Sequence, residues 1–381
     1  MRRLTVGMAA AVACLGFVVA GCGGSSGSSD STNTASTGGS SKQAMTVAVM
    51  TPASFADDGY AQFNLEALEA AIKNVEPGSF KVQKVENVPY TDQLTQTAQQ
   101  LFAQGANVVL DANAAGELFY EACKEASGKA CFEEYGPIGV PVPENTINFA
   151  YEESALYYLE GVAGGMLTKT GTLGFISSFK LAASTTNLNA FALGCQSVKP
   201  GCTVRNVYIN SFNDPPKAVE AAKTLTSAGA DVISHDLDEP SGIKTSAAEG
   251  AWVFGTYQNQ ASIIGNKWVS GTNYTPSVTA VLTAQLKAVR EGTFKRVATR
   301  MYGPGKGVDS ELQPWGEAVP TEVKEKVEGL YKKMQSGWSP FQGPITDVNG
   351  KVRVPAGQSL DPRGDFVYQG WNWFVKGVIG G

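Results

Sequence analysis

Histidine is nearly missing from this chain: His235 is the sole one in 381 residues. That scarcity removes most Ser–His hydrolase and histidine-ligated metal readings. No HExxH is present, and GxSxG occurs only in a low-complexity stretch near the N-terminus. Past the first twenty or so residues there is no apolar run long enough to cross a bilayer. Basic residues are also in deficit, 30 Lys and Arg against 35 Asp and Glu, which argues against a nucleic-acid partner. The segment GPGKG at 303–307 lacks the GxxxxGK[ST] spacing of a phosphate loop and reads as a turn.

What is present begins with an export signal. Arg2 and Arg3 form a basic start, and Met8 to Ala20 is an apolar run too short to span a membrane. It ends at Val19-Ala20-Gly21-Cys22, which resembles a bacterial lipobox. Cleavage before Cys22 and transfer of a diacylglycerol to its thiol are therefore expected, making residues 1–21 a signal peptide and Cys22 the lipidation site. Residues 22–43 then form a Gly/Ser-rich tether with Ala35 as its one apolar residue, too polar to repay the entropy of ordering. A coil of that length reaches on the order of 25 Å, enough to hold a domain just off the membrane. Removing residues 1–21 takes away two arginines and no acids, leaving 28 basic against 35 acidic residues, a formal charge of −7.

Of six cysteines, Cys14 leaves with the signal and Cys22 is lipidated, which leaves four, in EACKEASGKACF and GCQSVKPGCTV. An even count outside the cytoplasm, with each pair close in sequence between a helix end and the next strand, favours disulfides Cys123–Cys131 and Cys195–Cys202. Zinc is the alternative, but CxxC is absent and one histidine is too few. The expectation is no metal and no cofactor.

From Met45 the chain alternates short apolar runs with helical patterns. MTVAVM, FKVQKVENV and NVVLDAN read as strands, and DGYAQFNLEALEAAIKNV and YTDQLTQTAQQLFAQG as the helices between them. The pattern restarts after Asn148 through TGTLGFISSF, TVRNVYINSF and DVISHDL, again with helices between. Two successive runs of βαβ units imply an α/β protein with two lobes built on parallel sheets. The expected partition places residues 44–149 and about 258–294 in the first lobe, and 150–257 and about 295–381 in the second, with a hinge near 148–151, 257–274 and 294–300.

Ligands in such folds sit beyond the C-terminal ends of the strands. The loops there pair aromatics with carboxylates and amides: Asp57, Asp58 and Tyr60; Asn113; Phe179; Phe212; Asp238; Tyr257 and Asn259; Asn273 and Tyr274. Rings to stack on a flat heteroaromatic ligand and polar groups to bond its edges are the mixture such a ligand needs. Singly, each has a bland alternative as a turn, cap or rim residue. Their recurrence at the same end of successive strands favours a site.

The segments NAFALGCQSVKPGCTV, VYINSFNDPPKAVEAAKTLTSAGADVI and the closing GWNWFVKGV resemble the basic membrane lipoprotein family, substrate-binding components of ABC importers with the type I periplasmic-binding fold. The resemblance runs from about residue 45 to the C-terminus, and one branch includes proteins thought to bind adenine or related purines. It implies a monomeric, non-enzymatic binding protein, anchored at the extracytoplasmic face, that delivers a purine base or nucleoside to a membrane permease. Tyr60, Phe179, Phe212, Asp238 and Asn273-Tyr274 match positions of that branch's motifs. KLAAS after Phe179, Asn113-Ala114-Ala115 and Asn259 depart from it. An Asn both donates and accepts, so Asn259 suits a carbonyl-bearing ligand. In the expected geometry Tyr60 and Phe179 sandwich the ring while Asp58, Asp238 and Asn273 bond its edge. A binding protein for a sugar, amino acid or signal that feeds a sensor is the alternative.

Overall fold

The computed structural model describes residues 43–112, 116–136, 140–302, 309–361 and 371–381. Residues 43–381 form one compact unit. Cys22, the signal segment, most of the tether and Asn113 lie outside the described residues.

The first sheet is built from β1 (Met45–Met50), β2 (Phe80–Val85), β3 (Val108–Asp111), β4 (Ala130–Glu134) and β5 (Thr146–Tyr151). Helices α1 (Tyr60–Val75), α2 (Asp92–Ala103) and α3 (Glu117–Glu125) connect them as far as β4. α4 (Ser154–Leu167) then carries the chain into a second sheet of β6 (Thr172–Ser177), β7 (Thr203–Tyr208), β8 (Val232–His235), β9 (Trp252–Gly255) and β10 (Trp268–Asn273). Its connecting helices are α5 (Ala182–Val198), α6 (Pro215–Ser227), α7 (Ser241–Ala248) and the single turn α8 (Ala261–Ile264). α9 (Thr275–Glu291) leads to β11 (Val297–Tyr302). The C-terminal portion adds β12 (Glu311–Leu312), α10 (Thr321–Gln335), the hairpin of β13 (Ile345–Thr346) and β14 (Val352–Val354), and β15 (Val378–Ile379).

The first sheet runs β11-β5-β4-β3-β1-β2 and the second β12-β10-β9-β8-β6-β7-β15. Every pairing in them is parallel except β10 with β12. Central strands such as β1, β3 and β8 are buried on both faces, which is why they read as unbroken apolar runs.

The chain crosses between the sheets after β5, after β10 and after β11. This differs from the expected partition at two points. Residues 268–273 pair with β9 in the second sheet rather than the first, and residues 297–302 pair with β5 in the first sheet rather than the second. The reason is α9, which leaves the second sheet at Asn273, packs along α1 and delivers β11 to the free edge of β5.

Local signals account for the helix limits. Leu94, Ala98 and Leu101 face inward from α2, Thr91 accepts the Gln93 N–H at its start, and Gly105 stops the helix at φ 102°. Asp214 caps α6 by accepting the Lys217 N–H, with Pro215 and Pro216 in the first turn. α4 and α5 are buried nearly all round and pack backbone against backbone. A Cβ on Gly161 would lie 2.0 Å from the Phe191 carbonyl oxygen, and one on Gly194 2.0 Å from that of Tyr158. The C-terminal segment docks on α5 through Asn189, whose amide donates to Trp373 O and accepts from Val375 N. The cysteines pair as Cys123–Cys131 and Cys195–Cys202, each with Cα atoms 6.1 Å apart and each tying a helix to the strand that follows.

Candidate functional site

A cavity of about 560 Å³ opens at the C-terminal ends of the strands of both sheets. Tyr60, at the start of α1, contributes a ring that is 8% exposed, and its hydroxyl donates to Glu134 Oε2 at 2.6 Å. Tyr257, from the loop after β9, meets that ring edge-on with centroids 5.2 Å apart and stacks on Phe63 at 5.6 Å. Tyr135, beyond β4, donates to Glu153, which also accepts from the Asn187 amide. These groups make a buried, mutually bonded wall.

The opposite side is barer. Phe179, in the loop after β6, is 36% exposed and meets Phe212, from the loop after β7, edge to face at 5.2 Å. Leu181 beside it and Tyr90 at the rim are each 49% exposed. The Lys180 ammonium, between Phe179 and Leu181, lies 5.0 Å over the Phe374 ring, so the C-terminal segment braces this loop.

Acids gather at the floor. Asp236 and Asp238 follow β8, and the Asp236 carboxylate accepts from the Ser178 N–H at 2.6 Å and from its hydroxyl at 3.3 Å. No described group donates to the Asp238 carboxylate, which lines the cavity with the residue only 7% exposed. Burial pushes the Asp236 carboxyl up to about 6 and those of Glu134 and Glu153 up to about 7. Burial likewise raises Asp238 well above the usual carboxylate range, reinforced by the charges of Asp57, Asp236, Glu134 and Glu153. No lysine, arginine or histidine lines the cavity among the described residues.

The two halves touch directly beside the cavity. The Tyr60 N–H donates to the Asp238 carbonyl at 3.2 Å, and a Cβ on Gly59 would fall 1.6 Å from that same oxygen. Only glycine permits this approach. Gln260 adds a bond from its amide to the Asp58 carbonyl.

Of the residues singled out from sequence, Tyr60, Phe179, Phe212, Asp238 and Tyr257 line the cavity, and five others do not. Asp57 serves as a cap, its carboxylate accepting from the N–H groups of Gly59, Ala61 and Gln62. Asp58 sits at a left-handed turn, φ 52°, and contributes its carbonyl to the Gln260 contact. Asn259 accepts from Ala261 N at the start of α8, and Asn273 accepts from Thr275 N and donates to Glu311. Tyr274 is fully buried and stacks on Tyr151 with centroids 4.3 Å apart. Asp58 and Asn273, expected to bond the ligand's edge, do not line the cavity; Asp58 offers its carbonyl to Gln260, and Asn273 bonds Thr275 and Glu311.

Sequence reasoning passed over Tyr90, Tyr135, Glu153, Asn187 and Asp236. Asp236 carried the clearest signal, two residues before Asp238 on the same strand end. His235 is buried in β8, both ring nitrogens lack a partner among the described residues, and burial pushes its pKa down to about 3. It is a neutral core residue outside the cavity.

Two α/β halves with a cleft at their strand ends define a periplasmic-binding type of protein. Solved structures agree on the fold. ABC transporter solute-binding proteins from Conexibacter woesei and Aeropyrum pernix superpose with TM-scores of 0.61 and 0.62, covering 77% and 80% of this chain and 97% and 93% of theirs. Their identities of 19% and 14% speak for the fold alone.

The family model of PnrA-like ABC transporter substrate-binding proteins matches residues 44–308, and the chain belongs to that family. A purine-binding protein from Brucella abortus is 30% identical over 230 residues, 58% of this chain and 61% of its own. A Haloferax volcanii protein whose name assigns it as an ABC transporter glucose-binding protein is 29% identical over 230 residues, 58% of this chain and 53% of its own. The matched stretch thus spans little more than half of either relative. No described helix is long and apolar enough to cross a membrane.

Proposed function

We propose that the protein is the extracytoplasmic, lipid-anchored binding component of an ABC importer, capturing a small heteroaromatic ligand between its two halves and presenting it to a permease. One observation carries the ligand class: the cavity is lined by six aromatic rings with four carboxyl groups around them. Rings suit the faces of a flat ligand and carboxylates accept from its N–H and O–H edges. A purine base or nucleoside has that shape and donor pattern, and the purine-binding relative supports the choice. The anchor rests on the Val19-Ala20-Gly21-Cys22 motif.

Closure follows from the shared lining. Tyr60, Tyr90 and Tyr135 belong to the first half, while Phe179, Phe212 and Asp238 belong to the second. A ligand touching both sides stabilises the state in which they are close, and it can shift that equilibrium only by its differential affinity for it. Nothing in this scheme calls for catalysis, a cofactor or a metal.

The test is a thermal-shift screen of the purified full chain against nucleobases, nucleosides, sugars and amino acids, since a ligand that binds only the folded state raises the melting temperature. A purine or nucleoside hit whose affinity drops in Tyr60→Ala and Asp238→Ala supports the reading. A shift from glucose alone would transfer the site to the sugar alternative suggested by the second relative. Unchanged affinity in both variants would remove the cavity from the argument.

A further inference from the structure

We infer that the cleft selects a ligand bearing positive charge, a heteroaromatic cation in preference to a neutral or anionic ring of the same shape. This rests on the cavity being the ligand site. Three carboxyl groups line it, those of Glu153, Asp236 and Asp238, a fourth, Glu134, is bonded behind Tyr60, and the described lining contains no basic side chain to balance them.

The four are not equivalent. Glu134 is held by the Tyr60 hydroxyl, Glu153 by Tyr135 and Asn187, and Asp236 by the backbone and hydroxyl of Ser178. The Asp238 carboxylate has no donor among the described residues although the residue is more than nine-tenths buried. A ligand that fills the cavity takes this carboxylate out of water, and without a hydrogen bond or counter-charge from that ligand the burial is strongly unfavourable. A neutral ring could give Asp238 one N–H, but it would leave the acids around the cavity unbalanced. A phosphate-bearing ligand would add to the imbalance. A cation answers both needs: it pairs with Asp238 and neutralises the field of Glu134, Glu153 and Asp236. The rings act in the same direction, because their faces attract cations, most strongly when water is excluded. Tyr60, Tyr257, Phe179 and Phe212 supply such rings from both halves.

The upward shift of these carboxyls, set by burial and mutual repulsion, has a consequence for the test. Asp57 from the α1 cap, Asp236 from β8, Glu134 from β4 and Glu153 before α4 all act on Asp238. A cation displaces protons that the site otherwise holds, so its affinity strengthens as pH rises from about 5 to 8.

The experiment is titration calorimetry on the purified full chain with two matched pairs: adenosine against 1-methyladenosine, and nicotinamide against 1-methylnicotinamide. The second member of each pair is positively charged at neutral pH. The proposal expects at least tenfold tighter binding of the cation in one pair or both, no binding of adenosine monophosphate, and shrinkage of the preference to within about twofold in Asp238→Asn. Neutral members binding as tightly as both cations, or the monophosphate binding beside adenosine, would overturn it. The two readings fail separately. Equal binding of adenosine and 1-methyladenosine, with no preference in the nicotinamide pair, keeps the purine site and discards charge selection. A preference for 1-methylnicotinamide with neither adenosine compound bound keeps charge selection and discards purines.

Discussion

The two walls of the cleft are built on different principles. On one side Tyr60, Glu134, Tyr135 and Glu153 are joined by hydrogen bonds and backed by Phe63, Tyr151 and Tyr257. On the other, Phe179, Leu181 and Phe212 stand partly in solvent, and Phe179 and Phe212 touch chiefly each other. The first wall is preorganised and belongs to the core, so under the proposed function its residues would serve stability and binding together. The second is more exposed and makes fewer contacts, so under the same proposal its residues would serve chiefly binding.

The sharpest way to break this comparison is at the seam between the halves. Gly59→Ala puts a methyl group where the Asp238 carbonyl already lies, and because that neighbour is backbone it cannot swing aside. Ligand affinity should fall about a hundredfold, about 2.7 kcal/mol, in calorimetry. Unchanged affinity would mean that the seam plays no part in closure. Next in size, Tyr60→Phe removes the donor to the buried Glu134 carboxyl and should cost about 1–3 kcal/mol of stability by denaturant unfolding, with affinity reduced as well. Phe179→Ala probes the exposed wall. Roughly tenfold weaker binding is expected with an unchanged melting temperature, the loss of one stacking surface. A drop in melting temperature comparable with that of Tyr60→Phe would erase the distinction between the walls.

The last prediction concerns protons. The Glu134 pKa is raised by burial to about 7 from an ordinary 4.5, so the folded state keeps a proton that the unfolded chain loses between those pH values. Its contribution to stability therefore declines as pH rises from about 4.5 to 7 and is level above that. Glu134→Gln removes its share of the slope, leaving those of Glu152, Glu153 and Asp236. Its melting temperature, measured by calorimetry, should gain on the wild type across that window and run parallel to it above.

Much of this architecture could be read from the residues. The strands β1 to β3 and β6 to β8 and the helices between them follow from alternating apolar runs and helical spacing, as in MTVAVM and the inward face of Leu94, Ala98 and Leu101. The path after β9 was misassigned because α9 and β11 are placed by tertiary docking, on α1 and on the edge of β5, which no local pattern encodes. At the site, aromatics on strand ends were legible. That Asp57, Asn259 and Asn273 would bond helix starts rather than line the cavity was not legible, because an Asx side chain near a helix start looks the same in sequence whether it binds a ligand or a backbone N–H. Tyr274 was misread because a buried stack and an open one have the same composition. Glu153 and Asn187, which line the cavity, stayed hidden because the bonds that hold them there, to each other and to Tyr135, join partners far apart in the chain.

Because the polypeptide passes between the sheets after β5, after β10 and after β11, neither half is encoded by one continuous stretch of gene. A truncation that aims to isolate either half would strip strands from both, and recombining this cleft with that of a relative would require breakpoints at all three passages rather than at one. The halves are thus inherited and exchanged as a unit, and divergence of ligand preference must proceed by point changes within the cleft.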